Sequence, residues 1–189
     1  MLDGLTIDTT AFASSYSNLK SAGDFICKDT IREKLAAANN CIAIGDGSCY
    51  ADMVAVPRDY PDVVIKICSG RDVFIDYARL CVNGTLKGKH HLKVHSEAEI
   101  APGVWLFVME RLAKKLTKRE YEMTIERVMG GWGLPSRGKY VHICDGLDRD
   151  MMAIRRALDA TDVPYCMDLH RGNVMCRKDG TIVYLDPVC

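Results

Sequence analysis

Near the end of this 189-residue chain, "MDLHRGNVMCRKDGTIVYLDPVC" spaces three oxygen-bearing side chains, Asp168, Asn173 and Asp186, around a predicted β-hairpin. Asp179–Gly180 favours a two-residue type I′ turn, in which both central residues need positive φ. That turn pairs Lys178 with Thr181, Cys176 with Val183 and Asn173 with Asp186. Directly opposed residues on antiparallel strands have Cα atoms roughly 4.5–5.5 Å apart, so the two side chains could share one ion. An amide and a carboxylate are hard donors that suit magnesium, which keeps some of its waters and bridges phosphates. Asp168, on the loop entering the hairpin, is near enough to serve the same site without being a paired ligand. Each residue alone has an ordinary reading as a turn cap or strand end; the register and the D-x-H-x-G-N spelling together set them apart.

Such a site needs elements that bring phosphates to it. In "VVIKIC" strand alternation puts Lys66 on the face opposite Val63, Ile65 and Ile67, flanked by Val64 and Cys68. An ammonium in an apolar strand requires a partner, because an isolated buried charge is costly. A phosphate together with a helix carboxylate would supply it, and Asp76 is the first candidate with Asp72 as its rival. The alternative is an edge-strand lysine facing water. In "IGDGSCYA", Gly45 and Gly47, with Ser48 beside them, would allow close backbone approach to a ligand; a lone G-x-G is more often just a turn.

Around these motifs, "TIREKLAAANN" reads as a helix with Thr30 and Glu33 at capping-box spacing. Short β-branched runs, "CIAIGDGSCYADMVAV", "DVVIKIC" and "GVWLFVM", predict an antiparallel sheet, with "PRDYPD" turning between two of its strands. Residues 71–81 predict a short helix over the sheet. Thr117 and Glu120 repeat the capping-box spacing before Tyr121, Ile125 and Val128, and Gly130–Gly131 is a stop. Leu147, Met151, Ile154 and Leu158 recur at helical spacing. The order predicts an α+β chain: a helical extension (1–40), a sheet region (41–109), and a mainly helical region ending in the hairpin (110–189).

Composition narrows the function classes. Lysine plus arginine and aspartate plus glutamate balance at 25 each, so no net field draws nucleic acid or an anionic membrane. The nine cysteines are an odd number and none forms a C-x-x-C pair. Several sit in apolar runs, as reduced thiols do in a cytoplasmic protein, rather than in a disulfide frame or zinc site. No stretch approaches a membrane span and the N-terminus has no leader pattern. His90, His91 and His95 in "KGKHHLKVH" lack an acidic or thiol co-ligand and read as a solvated loop entering a strand. "RLAKKLTKR" reads as a wet basic helical face, with a docking surface for an acidic partner as the lesser reading.

With these residues in view, the chain resembles the protein-kinase-like fold. "DLHRGN" is similar to the catalytic loop, "LDPV" stands in the place of the metal-binding segment, and the spacing between them is the usual one. The resemblance implies a two-lobed fold, an antiparallel-sheet N-lobe and a reduced C-lobe. It implies that Asp168 orients or deprotonates the attacking hydroxyl, that Asn173 and Asp186 hold Mg2+, and that Lys66 meets the ATP phosphates. Gly45, Gly47 and Ser48 would cover those phosphates, although Tyr50 replaces the third glycine. Glu110 and Leu112 would stand near the adenine. His170 would either contact a phosphate when protonated or pack to order its loop.

More narrowly, "GDGSCYADMVAVPRDYPDVVIKI", "HLKVHSEAEIAPGVWLFVMERL" and "YCMDLHRGNVMCRKDGTIVYLDPV" resemble the early Ser/Thr protein kinases of short-tailed lytic, autographivirus-type bacteriophages. That implies ATP-dependent phosphorylation of host proteins in the bacterial cytoplasm during host takeover or transcription shut-off. "CMD" replaces the usual H-R-D, and the chain stops three residues after Asp186, without the usual peptide platform. The readings of that stop are a compact kinase, a trimmed chain, or self-association or a partner chain that completes the C-lobe. Two rivals accompany the kinase reading. One is a kinase-like protein that binds and inhibits a host factor; the other is a small-molecule phosphotransferase.

Overall fold

The computed structural model describes residues 7–21, 28–44, 51–70, 72–130 and 146–189. It is α+β, as the patterning predicts, and divides into two compact units, Met1–Ile75 with Lys93–Arg111 and Asp76–Leu92 with Leu112–Cys189.

The first unit begins with helices α1 (Thr9–Ser21) and α2 (Lys28–Ala38). α2 starts at Lys28, so Thr30 stands inside its first turn and the expected Thr30–Glu33 capping box does not frame its start. Strands β1 (Cys41–Ala43), β2 (Ala51–Pro57), β3 (Val63–Ser69), β4 (Val94–Ala101) and β5 (Val104–Glu110) form one antiparallel sheet in the order β1-β2-β3-β5-β4. The Pro57–Asp62 turn closes through Tyr60 N–H to Pro57 O at 3.2 Å and Val63 N–H to Tyr60 O at 3.1 Å. Alternation sorts β3 as expected. Val63, Ile65 and Ile67 enter a core with Met53, Ala55, Leu106 and Val108, onto which Phe12, Tyr16 and Leu35 of the helices pack. The Tyr16 hydroxyl donates to Asp52 Oδ2 at 2.7 Å, tying α1 to β2. Burial and that carboxylate push the Tyr16 pKa upward.

The second unit holds most of α3 (Phe74–Val82), then β6 (Lys114–Lys115), α4 (Lys118–Gly130), α5 (Leu147–Asp159), β7 (Val174–Cys176) and β8 (Ile182–Tyr184). β6, β7 and β8 form an antiparallel three-stranded sheet in that order. Leu147, Met151, Ile154 and Leu158 are buried along α5, the face that their spacing predicts. Within "RLAKKLTKR" the expected helical face is instead extended at Lys114–Lys115, because this stretch pairs with β7. The "GKHHL" segment is not a solvated loop. His90 and His91 are buried. His90 N–H donates to Asp150 Oδ2 at 3.1 Å, and its Nδ1 lies 2.8 Å from Ile182 O. A Cβ at Gly88 would fall 2.1 Å from the same Asp150 oxygen, so this close approach requires glycine. No described helix is long and apolar enough to cross a membrane.

The second capping box forms in full. Thr117 N–H donates to Glu120 Oε2 at 2.8 Å, and Glu120 N–H to Thr117 Oγ1 at 3.2 Å. Those bonds and Lys114 Nζ at 3.0 Å bring the Glu120 pKa down to about 2 from an ordinary 4.5. Because the folded value is the lower one, the contribution is fully present above about pH 4.5 and is lost as pH falls toward 2. Urea melts of the parent chain and Glu120→Gln should therefore differ at pH 6 and converge near pH 2. Thr117→Ala should cost about 1 kcal/mol at neutral pH.

Candidate functional site

In the first unit Lys66 lies on the second face of β3, opposite Phe107 of β5. It is 6 % exposed. Its Nζ stands 3.5 Å from the centroid of the Phe74 ring, which meets Phe107 edge-on at 5.6 Å. The carboxylate beside it is that of Asp72, with Oδ2 at 3.9 Å; Asp76, the first candidate from sequence, gives way to its rival. The reason is local. Gly70, at φ 80°, bends the chain as it leaves β3, and Asp72 stands just ahead of α3, whose start it caps. Phe74 N–H donates to Asp72 Oδ1 at 3.1 Å. One carboxylate thus serves both the helix and the buried lysine, and the ring face adds a cation–π contact.

Glu110 ends β5 in the same unit, and its Oε1 accepts the Lys93 N–H at 2.8 Å. Leu112 belongs to the second unit and is buried. Gly45, Gly47 and Ser48 lie outside the described residues.

The hairpin of the second unit differs from its predicted register by one residue. Val174 pairs with Tyr184, Met175 with Val183 and Cys176 with Ile182. The connection is a longer loop than the two-residue turn: Gly180 N–H donates to Arg177 O at 3.0 Å and Arg177 N–H to Thr181 O at 2.9 Å. Gly180 takes φ 86°, and Asp179 Oδ1 accepts the Thr181 N–H at 2.8 Å. These are the marks of a three-residue loop with a glycine bulge, in which Asp179 closes the turn with its side chain. The shift would by itself set Asn173 opposite Leu185. A second irregularity offsets it: Asn173 O accepts from both Leu185 N–H at 2.9 Å and Asp186 N–H at 3.3 Å. Asn173 and Asp186 are thereby neighbours through a bulge rather than through the direct pairing expected.

Asp168 joins them. The Asn173 amide nitrogen donates to both Asp168 O and Asp168 Oδ2, each at 2.9 Å. Asp168 N–H donates to Pro187 O at 2.8 Å. The three oxygen-bearing residues named from sequence are therefore brought together inside one unit. His170 stands at the edge of the group, with Nε2 3.6 Å from Asp168 Oδ2. Its Nδ1 accepts the Gly172 N–H at 2.9 Å, which makes Nε2 the protonated nitrogen of a neutral ring. A Cβ on Gly172 would fall 2.6 Å from His170 Cε1 and 2.9 Å from its Nδ1. The glycine is thus the residue that lets its own N–H reach the ring. Gly172→Ala should cost less than about 1 kcal/mol, since the exposed ring can swing aside. It should nonetheless abolish the fixed tautomer, read from the imidazole nitrogen shifts by NMR.

Several positioning residues carry no motif. The Tyr121 hydroxyl donates to Leu169 O, holding the loop between Asp168 and His170 to α4. Arg171 Nε donates to Leu116 O at 3.3 Å. Buried Tyr77 donates to Tyr184 O at 2.6 Å and accepts the Leu92 N–H at 3.2 Å. Burial drives its pKa well up and keeps it a donor. Only the helical face containing Tyr121 was legible beforehand; the hydroxyl contacts join segments too far apart in sequence for any local pattern to signal them.

One expectation about the thiols is overturned here. Cys166 and Cys189 form a disulfide, with Cα atoms 5.3 Å apart, because the backbone on either side of the site pairs and brings them into register.

The donor chemistry fits a magnesium ion. With its nitrogen committed to Asp168, Asn173 has an amide oxygen as its other terminal atom, and Asp186 contributes a carboxylate whose Oδ1 is buried. Among the described residues no group of three His, Cys, Asp or Glu side chains forms a metal cage. One carboxylate and one amide, with water and phosphate completing the shell, is the kind of set magnesium accepts. No protein-family model matches the chain, and no curated protein matches its sequence.

Proposed function

We propose that the chain is an ATP- and magnesium-dependent serine/threonine protein kinase of phage type that acts on host bacterial proteins. The observation that carries this reading is the coupling of Asp168, Asn173 and Asp186, where the Asn173 side-chain amide donates to the carboxylate of Asp168 and the Asn173 backbone carbonyl accepts the Asp186 N–H. Asp168 would accept the proton of the substrate hydroxyl as its oxygen attacks the γ-phosphorus and the bond to ADP breaks. Asn173 holds that carboxylate in place. Magnesium held by Asn173 and Asp186 would neutralise charge on the phosphate oxygens. Lys66, steadied by Asp72, is assigned to the phosphates, and His170 to ordering the loop, since its Nδ1 is occupied by Gly172.

The test is transfer from γ-labelled ATP with magnesium in a bacterial lysate, beside Asp168→Ala of equal thermal stability. Label on host serine or threonine that disappears in the variant supports the proposal. Equal labelling, or none, overturns it; label on a small molecule instead would point to a phosphotransferase of that class.

A further inference from the structure

The Cys166–Cys189 bond closes the outer end of a short antiparallel ladder. Cys166 N–H donates to Cys189 O at 2.7 Å and Cys189 N–H to Cys166 O at 3.0 Å. One step inward Met167 bridges Val188. At the inner end Asp168 N–H meets Pro187 O, beside Asp186. This ladder sets Asp168 against the Asp186 end of the hairpin. It is very short, and so brief a strand pair is marginal by itself. Both cysteines are exposed, whereas Cys41, Cys68 and Cys176 are buried. Exposure makes the bond accessible to thiols in a way that a core disulfide is not.

We propose that Cys166 and Cys189 are a redox modification site, a thiol–disulfide switch that clasps the ladder carrying Asp168 when oxidised and releases it when reduced. A glutathione-type small disulfide is the oxidant. One cysteine thiolate attacks that disulfide, forming a mixed disulfide and expelling one small thiolate. The second cysteine, having lost its proton, attacks the protein sulfur of the mixed disulfide and expels the other. Two protein S–H bonds are lost, one S–S bond forms, and the two electrons reduce the small disulfide to two thiols. A dithiol reverses the sequence. The effect on phosphoryl transfer rests on the proposed function; the switch itself rests on the ladder alone.

The experiment equilibrates the full chain in glutathione buffers of graded oxidised-to-reduced ratio, quenches with acid and alkylates. Peptide mass spectrometry reads the linkage, and amide hydrogen exchange reads the ladder. The expected result is a Cys166–Cys189 linked peptide that vanishes as reduced glutathione rises. Exchange at the Cys166, Asp168 and Cys189 amides should then quicken roughly tenfold or more, with β3 and β5 unchanged. Cys166→Ser and Cys189→Ser should each show the fast exchange in every buffer. No linked peptide under oxidising conditions, or equal exchange at those amides in the two forms, overturns the proposal. Labelled-ATP transfer in the same samples separates the two ideas. A chain that switches yet transfers no phosphate in either form supports the switch and sinks the kinase reading.

Discussion

Asp168→Asn should lower phosphoryl transfer by roughly 10²–10⁴-fold, the usual contribution of a positioned general base. The substitution keeps the side-chain shape and an oxygen able to accept from the Asn173 amide, which now lies 2.9 Å from Asp168 Oδ2. It removes the anionic oxygen that would take the hydroxyl proton. The thermal midpoint should therefore move little while turnover collapses. The check is a steady-state comparison with a host-protein substrate, paired with a melt of each protein. A variant that keeps more than about a tenth of the parent rate would remove Asp168 from the chemistry.

Asp72→Ala should be among the most damaging changes to stability in the first unit, costing about 3 kcal/mol or more. It withdraws the carboxylate 3.9 Å from the Lys66 ammonium, with both side chains 7 % exposed, and it removes the cap on the Phe74 N–H. Two effects then add: a buried cation loses a nearby countercharge, and a helix start loses its acceptor. Lys66→Met also takes the countercharge from a buried partner, Asp72, but it keeps the cap on the Phe74 N–H and leaves an apolar chain of similar length to pack against Phe74, so it should be milder for folding. For the proposed phosphoryl transfer the order should reverse. Lys66→Met should lower the rate roughly 10²–10³-fold, the typical loss of one charge-stabilising donor. Denaturant melts and transfer rates on both variants would read this crossing; a Lys66→Met chain as unstable as Asp72→Ala would refute the asymmetry.

How much of this could be read beforehand follows the range of the interaction involved. The faces of β3 and α5 were legible because they depend on periodicity alone. Val63, Ile65 and Ile67 reach one core, and Leu147, Met151, Ile154 and Leu158 lie along one buried stripe. The Thr117–Glu120 box was legible for the same reason, being a contact within one turn. The Thr30–Glu33 spacing shows the limit, since the same pattern stands inside a helix that starts at Lys28.

The hairpin is the most instructive case. Asp179–Gly180 announced a turn correctly but not its length, because aspartate and glycine serve a two-residue turn and a three-residue bulged loop equally well. One added residue moves every pairing by one, and only the bulge at Leu185–Asp186 restores Asn173 to Asp186. Asp72 prevailed over Asp76 because the exact start of α3 is a matter of one or two residues, which pattern alone does not resolve. The burial of His90 and His91 depends on β8 and α5, far along the chain.

By itself, then, the sequence determined the α+β class, the buried faces, and the identity of the oxygen-bearing residues that share the second unit's hairpin site. All of these follow from side-chain chemistry and local periodicity. Tertiary structure alone decided the hairpin register, the carboxylate that accompanies Lys66, the tyrosine hydroxyls that pin the loops, and the pairing of Cys166 with Cys189. Those depend on backbone segments meeting across long stretches of chain, where a single residue of offset changes which atoms can touch.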